Sequence, residues 1–208
     1  MAGRHNFDFP MRLLTKPLSK LLSPRLPSLM REPRFDLHHA PLEPAAWSAH
    51  TYDFDFEMDA TCARAFDVVT GEDPEVSETW FPDFESLRWL DGAKPGVGSR
   101  REYRTSFLTL IEEVDVWEPG RRFGFWVRRA SWPIHRRFRE LYEIEPRGER
   151  ARVRWTVAYE PHPRLVWVVP YGHAAFQKTF DAAAANLRAL RLRQTSERVA
   201  TGAVTDVA

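Results

Sequence analysis

Cysteine is nearly missing from this chain: Cys62 stands alone among 208 residues. That excludes an internal disulfide and a zinc cluster of cysteines, and it fits a reducing, cytoplasmic compartment. Long apolar runs are missing too, and none reaches the ~18 residues of a membrane span. Pro10, Pro17, Pro24 and Pro27 break the N-terminal region before a continuous apolar leader can form, so a secretory signal is not expected. An excess of charge is also lacking, since 30 Lys and Arg stand against 29 Asp and Glu. The net charge of +1 gives no overall attraction to nucleic acid, and the arginine doublets 100–101, 121–122, 128–129 and 136–137 read as a solvated outer face. His38 and His39 are adjacent, which is poor spacing for two ligands of one metal. No metal or cofactor is expected, and no Ser, His and Asp spacing supports a nucleophilic triad.

What is present is a hydrophobic fraction of 43% with 13% aromatic residues, enough for one core-bearing domain and an appendage. Residues 1–48 read as a proline-rich basic arm. Its leucines (Leu13, Leu14, Leu18, Leu21, Leu22, Leu26, Leu29) and cations (Arg12, Lys16, Lys20) suit an anionic membrane surface, the protein's own body or a neighbouring copy. Residues 49–194 form the body, and 195–208 read as an unstructured tail.

Within the body, Tyr52, Phe54, Phe56 and Met58 alternate with acids, which predicts a strand with one face buried. "CARAFDVV", capped by Asp59 or Thr61 and ended by Gly71, predicts a helix. The stretch 78–89 carries Trp80, Phe81, Phe84 and Trp89 around Pro82, and it reads as a second short helix or bent cap. Strands follow with inward sets Arg101, Tyr103, Thr105; Leu110, Glu112, Val114, Val116; Phe123, Phe125, Val127; Phe138, Glu140, Tyr142, Ile144; and Val153, Trp155, Val157, Tyr159. A turn near Ser106 and a type II turn at "EPGR" separate the first of these. Phe176, Phe180, Ala183, Leu187 and Leu190 recur at helical spacing, giving a long C-terminal helix. The class is α+β: an antiparallel sheet of six to seven strands that must curl around this helix to keep its aromatic face from water.

This order, with "WFPDFESLRWLDGAKPGVGSRREY", "VDVWEPGRRF" and the final helix, resembles the SRPBCC, or START-related helix-grip, superfamily and its polyketide cyclase/dehydrase and lipid-transport branch. The resemblance covers about residues 50–193. It implies a cavity between sheet and helix for a hydrophobic small molecule, lipid-like or ring-containing, with residues 80–89 as lid. The alternative it implies is a polyketide cyclase, aromatase or dehydratase acting by acid/base catalysis in the same cavity.

The expected lining is Phe54, Phe56, Trp80, Phe81, Phe84, Trp89, Arg101, Tyr103, Phe123, Phe125, Phe138, Glu140, Tyr142, Trp155, Tyr159, His173, Phe176 and Phe180. Arg101, Glu112 and Glu140 place charge on inward faces, and each needs a partner or a ligand. With the turn near Ser106, Arg101 faces Glu112 across a hairpin and the two neutralise each other; otherwise Arg101 meets an acidic ligand oxygen. Glu140 serves as a general base, or it hydrogen-bonds Tyr142, Tyr159 or Tyr103. For an enzyme, Arg101 and Glu140 are the catalytic candidates. His135 and His162 are placed in loops without a role.

Overall fold

The computed structural model of the chain describes residues 31–73, 76, 80–92, 95–164 and 169–190. The arm's leucine-rich and basic stretch and the expected tail lie outside these residues.

Nine residues from His50 to Met58 form β2, and the alternation that predicts it is kept, with Tyr52, Phe56 and Met58 buried. Helix α1 spans Cys62–Thr70. The Thr61 hydroxyl accepts from the Arg64 N–H, and Gly71 closes the helix in a left-handed conformation at φ 76°. A side chain at Gly71 would also press on Leu87 Cδ1, only 2.9 Å from an added Cβ. Leu87 belongs to β3, Phe84–Trp89. Within the stretch expected to be a helix or cap, residues 84–89 are therefore an edge strand, and among the described residues one helix, not two, follows β2. The chain turns into β3 through Asp83, at φ 59°, where the Phe84 N–H reaches the Phe81 carbonyl.

The remaining strands are β4 (Arg100–Thr105), β5 (Thr109–Glu118), β6 (Arg122–Ala130), β7 (His135–Arg147) and β8 (Arg150–Pro161), followed by α2 (Val169–Ala189). Pro170 falls in the first turn of α2, where a missing N–H costs little. The sheet runs β2-β8-β7-β6-β5-β4-β3, antiparallel and open, with the first and last strands as its edges. Phe180, Ala183, Ala184 and Leu187 turn one face of α2 into the core that the curled sheet encloses.

Two bulges in the pairing of β5 with β6 reset the faces. Between Val114 and Val116 the strand β5 carries one extra residue, Asp115. Val114 faces inward as expected, but beyond the bulge Trp117 takes the inner side, while Val116 lies against Gly124 and Leu141 on the outer side. Val116 was expected inside; a single inserted residue reverses every later side chain. The second bulge, at Arg128 in β6, leaves both Arg128 and Arg129 exposed and returns Ala130 to the core.

Residues 31–48, grouped with the arm by sequence, lie against this sheet. Strands β6 and β7 pair only as far as Trp126 with Arg139, and β1 (Phe35–Asp36) fills the gap beyond, pairing with Ala130 and Arg129. Leu37 joins the main core. On the outer face Ala40 is fully buried, and its carbonyl accepts from Arg139 Nη1 at 2.6 Å. The second terminal nitrogen of Arg139, Nη2, donates to the bulge residue Asp115 at 2.6 Å. Arg139 is thereby 1% exposed, an outer-face arginine that the strap covers and helps to pair.

Candidate functional site

The expected lining residues other than Phe56 meet on the inner side of the sheet in three contiguous groups. At the centre Trp155 stacks on Tyr142, with ring centroids 5.2 Å apart, and Phe54, Phe123 and Phe125 extend the layer. Above it Trp80 meets the edge of Trp155 at 6.0 Å, and Phe81 meets Phe180 of α2 and Tyr103 of β4, both at 5.7 Å. Asn186 of α2 donates its side-chain N–H to the Trp80 carbonyl at 2.8 Å, which fastens this roof to the helix. Phe84 closes on Tyr103, and Trp89 reaches Trp117. Phe56 lies toward the far end of the same face, beneath Arg188.

The third group sits at the start of α2. His173 Nδ1 lies 2.8 Å from the Tyr52 hydroxyl and 2.7 Å from that of Tyr159, and the two hydroxyls are 3.2 Å apart. His135 packs its ring on Phe138, Tyr159 and Phe176. Burial alone pulls its imidazole down to about 3, so it is neutral at physiological pH. Expected in a loop, His135 instead opens β7. His135, Tyr52 and Trp117 were absent from the expected lining. Tyr52 was legible from its strand alternation, whereas Trp117 depends on a bulge that leaves no sequence mark.

Polar groups cross the apolar interior at two places. Arg101 and Glu112 face each other across the β4–β5 hairpin in the expected register, and Arg101 Nε donates to Glu112 Oε2 at 2.6 Å. The same guanidinium donates through Nη1 to the carbonyl of Thr70, the last residue of α1, at 2.7 Å, where the helix dipole favours a cation. Phe125, Phe123 and Trp89 surround it at 4.8, 4.9 and 5.6 Å from their ring centres. Of the two readings of Arg101, the ion pair is the one that the geometry realises, and two of the guanidinium's donors are engaged inside the protein.

Glu140 is the second. Tyr142 donates its hydroxyl to Oε2 at 2.7 Å, and the indole N–H of Trp155 donates to the same oxygen at 3.0 Å. Among the expected partners Tyr142 is found; Tyr159 is engaged with Tyr52 and His173 instead. Burial pushes the Glu140 carboxyl up to about 7, opposed by the Tyr142 bond and aided by the charge of Glu112. Burial likewise raises the Tyr103 and Tyr142 phenols, so both stay protonated.

A depression of about 410 Å³ lies elsewhere, at the β2 edge, lined by Asp55, Phe56, Glu57, Arg147 and Arg152. Asp55 and Arg152 pair there, and the mostly charged lining suits water. Among the described residues no cluster of three or more His, Cys, Asp or Glu is placed to hold a metal. Nor is any described helix long and apolar enough to cross a membrane.

Similarity to solved structures agrees with this architecture. A protein from Thermus thermophilus is 18% identical and superposes with a TM-score of 0.54 over 67% of this chain and 94% of its own. Ginseng major latex-like protein 151 from Panax ginseng, 14% identical, gives a TM-score of 0.54 over 67% of this chain and 95% of its own. A protein from Arthrobacter aurescens, also 14% identical, gives 0.50 over 71% and 91%. At such identities the likeness concerns the fold alone. No curated protein sequence matches the chain. A family model described as polyketide cyclase / dehydrase and lipid transport matches residues 49–190, from the start of β2 to the end of α2. That match covers more than half of the chain, which therefore belongs to the polyketide cyclase/dehydrase and lipid-transport family, and the curled antiparallel sheet around the final helix agrees with it.

Proposed function

We propose that the protein binds a hydrophobic small molecule, ring-bearing or lipid-like, between the inner face of the sheet and α2. The observation that carries this reading is the aromatic lining itself: rings from β2, β4, β6, β7, β8, the 80–81 segment and α2 touch in one unbroken set. A solid core of this size is served by aliphatic and branched side chains, whereas a face rich in rings offers area to a planar or lipid-like guest. The rings close on one another at 5 to 6 Å, so a guest enters by displacing the Trp80–Phe81 roof, which the Asn186 hydrogen bond and ring edges hold.

The enzymatic reading has one observation in its favour. A carboxyl held near 7 in an enclosed apolar site is matched to proton transfer at neutral pH, and Glu140 is such a group. In that reading it removes or supplies a proton on a bound polyketide-like chain. Arg101, already engaged, contributes shape and not chemistry.

Titration with an apolar fluorescent probe tests the binding reading. One probe per chain should be taken up, with a higher melting temperature when it is present. Phe176→Arg, which puts a charge into the partly buried flank of the lining, should abolish uptake while the unliganded protein still melts cooperatively. Absence of both uptake and melting shift in the native protein would show that the interior is a solid core.

A further inference from the structure

We propose that the Tyr103 hydroxyl and the second oxygen of the Glu140 carboxyl form a subsite for the carbonyl group of a neutral, otherwise apolar ligand. This rests on the reading that the interior takes up a small molecule, and it adds which chemistry that molecule carries.

Three observations converge on it. The Tyr103 hydroxyl oxygen is buried yet has no hydrogen-bond partner, an arrangement that costs free energy unless something else fills it. Its ring is pinned by Phe81 and Phe84, so the hydroxyl has little freedom to find a partner of its own. At Glu140 both donors, Tyr142 and Trp155, address Oε2, and Oε1 receives no hydrogen bond from the described residues. Glu140 is buried on an interior strand, so a free carboxyl oxygen there is costly unless a guest supplies its partner. The two groups act on each other across this interior, since the charge of Glu140 adds to burial in raising the Tyr103 phenol.

Charge decides the ligand class. Arg101 and Tyr103 on β4, Glu112 on β5 and Tyr142 on its own strand are the titratable or charged groups that face Glu140. The one cation in this set is engaged by Glu112 and the Thr70 carbonyl, which leaves one carboxyl, Glu140, without a counter-charge. A carboxylate or phosphate guest would find no free cation beside it, whereas a ketone or ester oxygen accepts the Tyr103 proton and that of the protonated Glu140. Fatty acids and phosphorylated lipids are thereby disfavoured at this end of the site.

Three probes of one shape test this: a naphthyl methyl ketone, its ethyl hydrocarbon analogue and naphthoate, titrated by tryptophan fluorescence on the full chain. At about pH 6 the ketone should bind roughly five- to tenfold more tightly than the hydrocarbon, and naphthoate most weakly. Tyr103→Phe should remove most of the ketone's advantage, leave the hydrocarbon unchanged, and melt no lower than the native protein, because it deletes an unpartnered hydroxyl. Glu140→Gln, whose amide still donates, should keep the ketone's advantage at about pH 8, where native Glu140 is ionised and loses part of it. If none of the probes binds, the proposed function itself fails. Equal affinity for ketone and hydrocarbon, tightest binding of naphthoate, or a clearly lower melting temperature for unliganded Tyr103→Phe would each overturn the carbonyl subsite while uptake of an apolar guest stands. A ketone preference indifferent to pH in the native protein would remove Glu140 from it.

Discussion

Glu140 has only two neutral donors to offset its removal from water, and the consequence is a stability that depends on pH. A carboxyl whose folded-state pKa is raised holds its proton longer in the folded than in the unfolded chain. Its contribution is therefore fullest in acid and declines as pH rises from about 4.5 to about 7, a loss of about 3 kcal/mol. His135 acts in the opposite sense. Its pKa is depressed to about 3, so its contribution is present above the ordinary histidine value of 6.5 and lost as pH falls below it. Glu140→Gln should leave the His135 slope and remove the other, so the variant should melt higher than the native protein at about pH 8 and match it at about pH 5. Thermal melts at the two pH values check this; a lower melting temperature for the variant at both would mean that the charged carboxylate is the favoured state. Arg101 allows a second prediction at this scale. Arg101→Ala strands Glu112 in the interior and should cost about 3 to 5 kcal/mol, read by urea unfolding, whereas Arg101→Met with Glu112→Leu should recover most of that loss. A double variant no better than the single one would assign the cost to the lost cap on α1 and the lost ring contacts instead.

Strands and helices divide sharply into those that the sequence reveals and those that it hides. The hairpin placing Arg101 opposite Glu112 was legible because strict alternation and a turn at Ser106 fix a register together. Helix α1 was legible from Thr61 and Gly71, whose roles at helix ends are set by local chemistry alone. Strand β3 was not, since its extended form depends on pairing with β4, a contact that dense aromatics and Pro82 do not announce. The strap over residues 31–48 escaped notice for a related reason: its two-residue strand is too short for a periodic signal, and its support comes from gaps in β6 and β7 far along the chain. A chain starting at residue 49 should therefore melt lower than the full-length protein, because it uncovers Arg139 and loses Leu37 from the core. Differential scanning calorimetry distinguishes them; identical melts would show that the strap rests on the sheet without holding it.

At the scale of the whole molecule the aromatic face and the final helix carried the family resemblance, while the site's polar details depended on contacts between distant strands. The sheet's own order has a further consequence, one of timing. Strand β2 pairs along its whole length with β8, His50 with Tyr159 through Met58 with Ala151, so the first long strand to leave a ribosome waits for the last. At roughly 5 to 20 residues per second, some 5 to 20 seconds pass before the partner emerges. During that interval Tyr52, Phe54, Phe56 and Met58 form an unpaired apolar edge. Such an edge is the surface on which nascent chains aggregate or recruit chaperones, and pairings this remote in sequence form slowly even in the finished chain. Refolding of the purified protein should accordingly proceed through a state whose sheet is zipped from β3 to β8 but still open at β2.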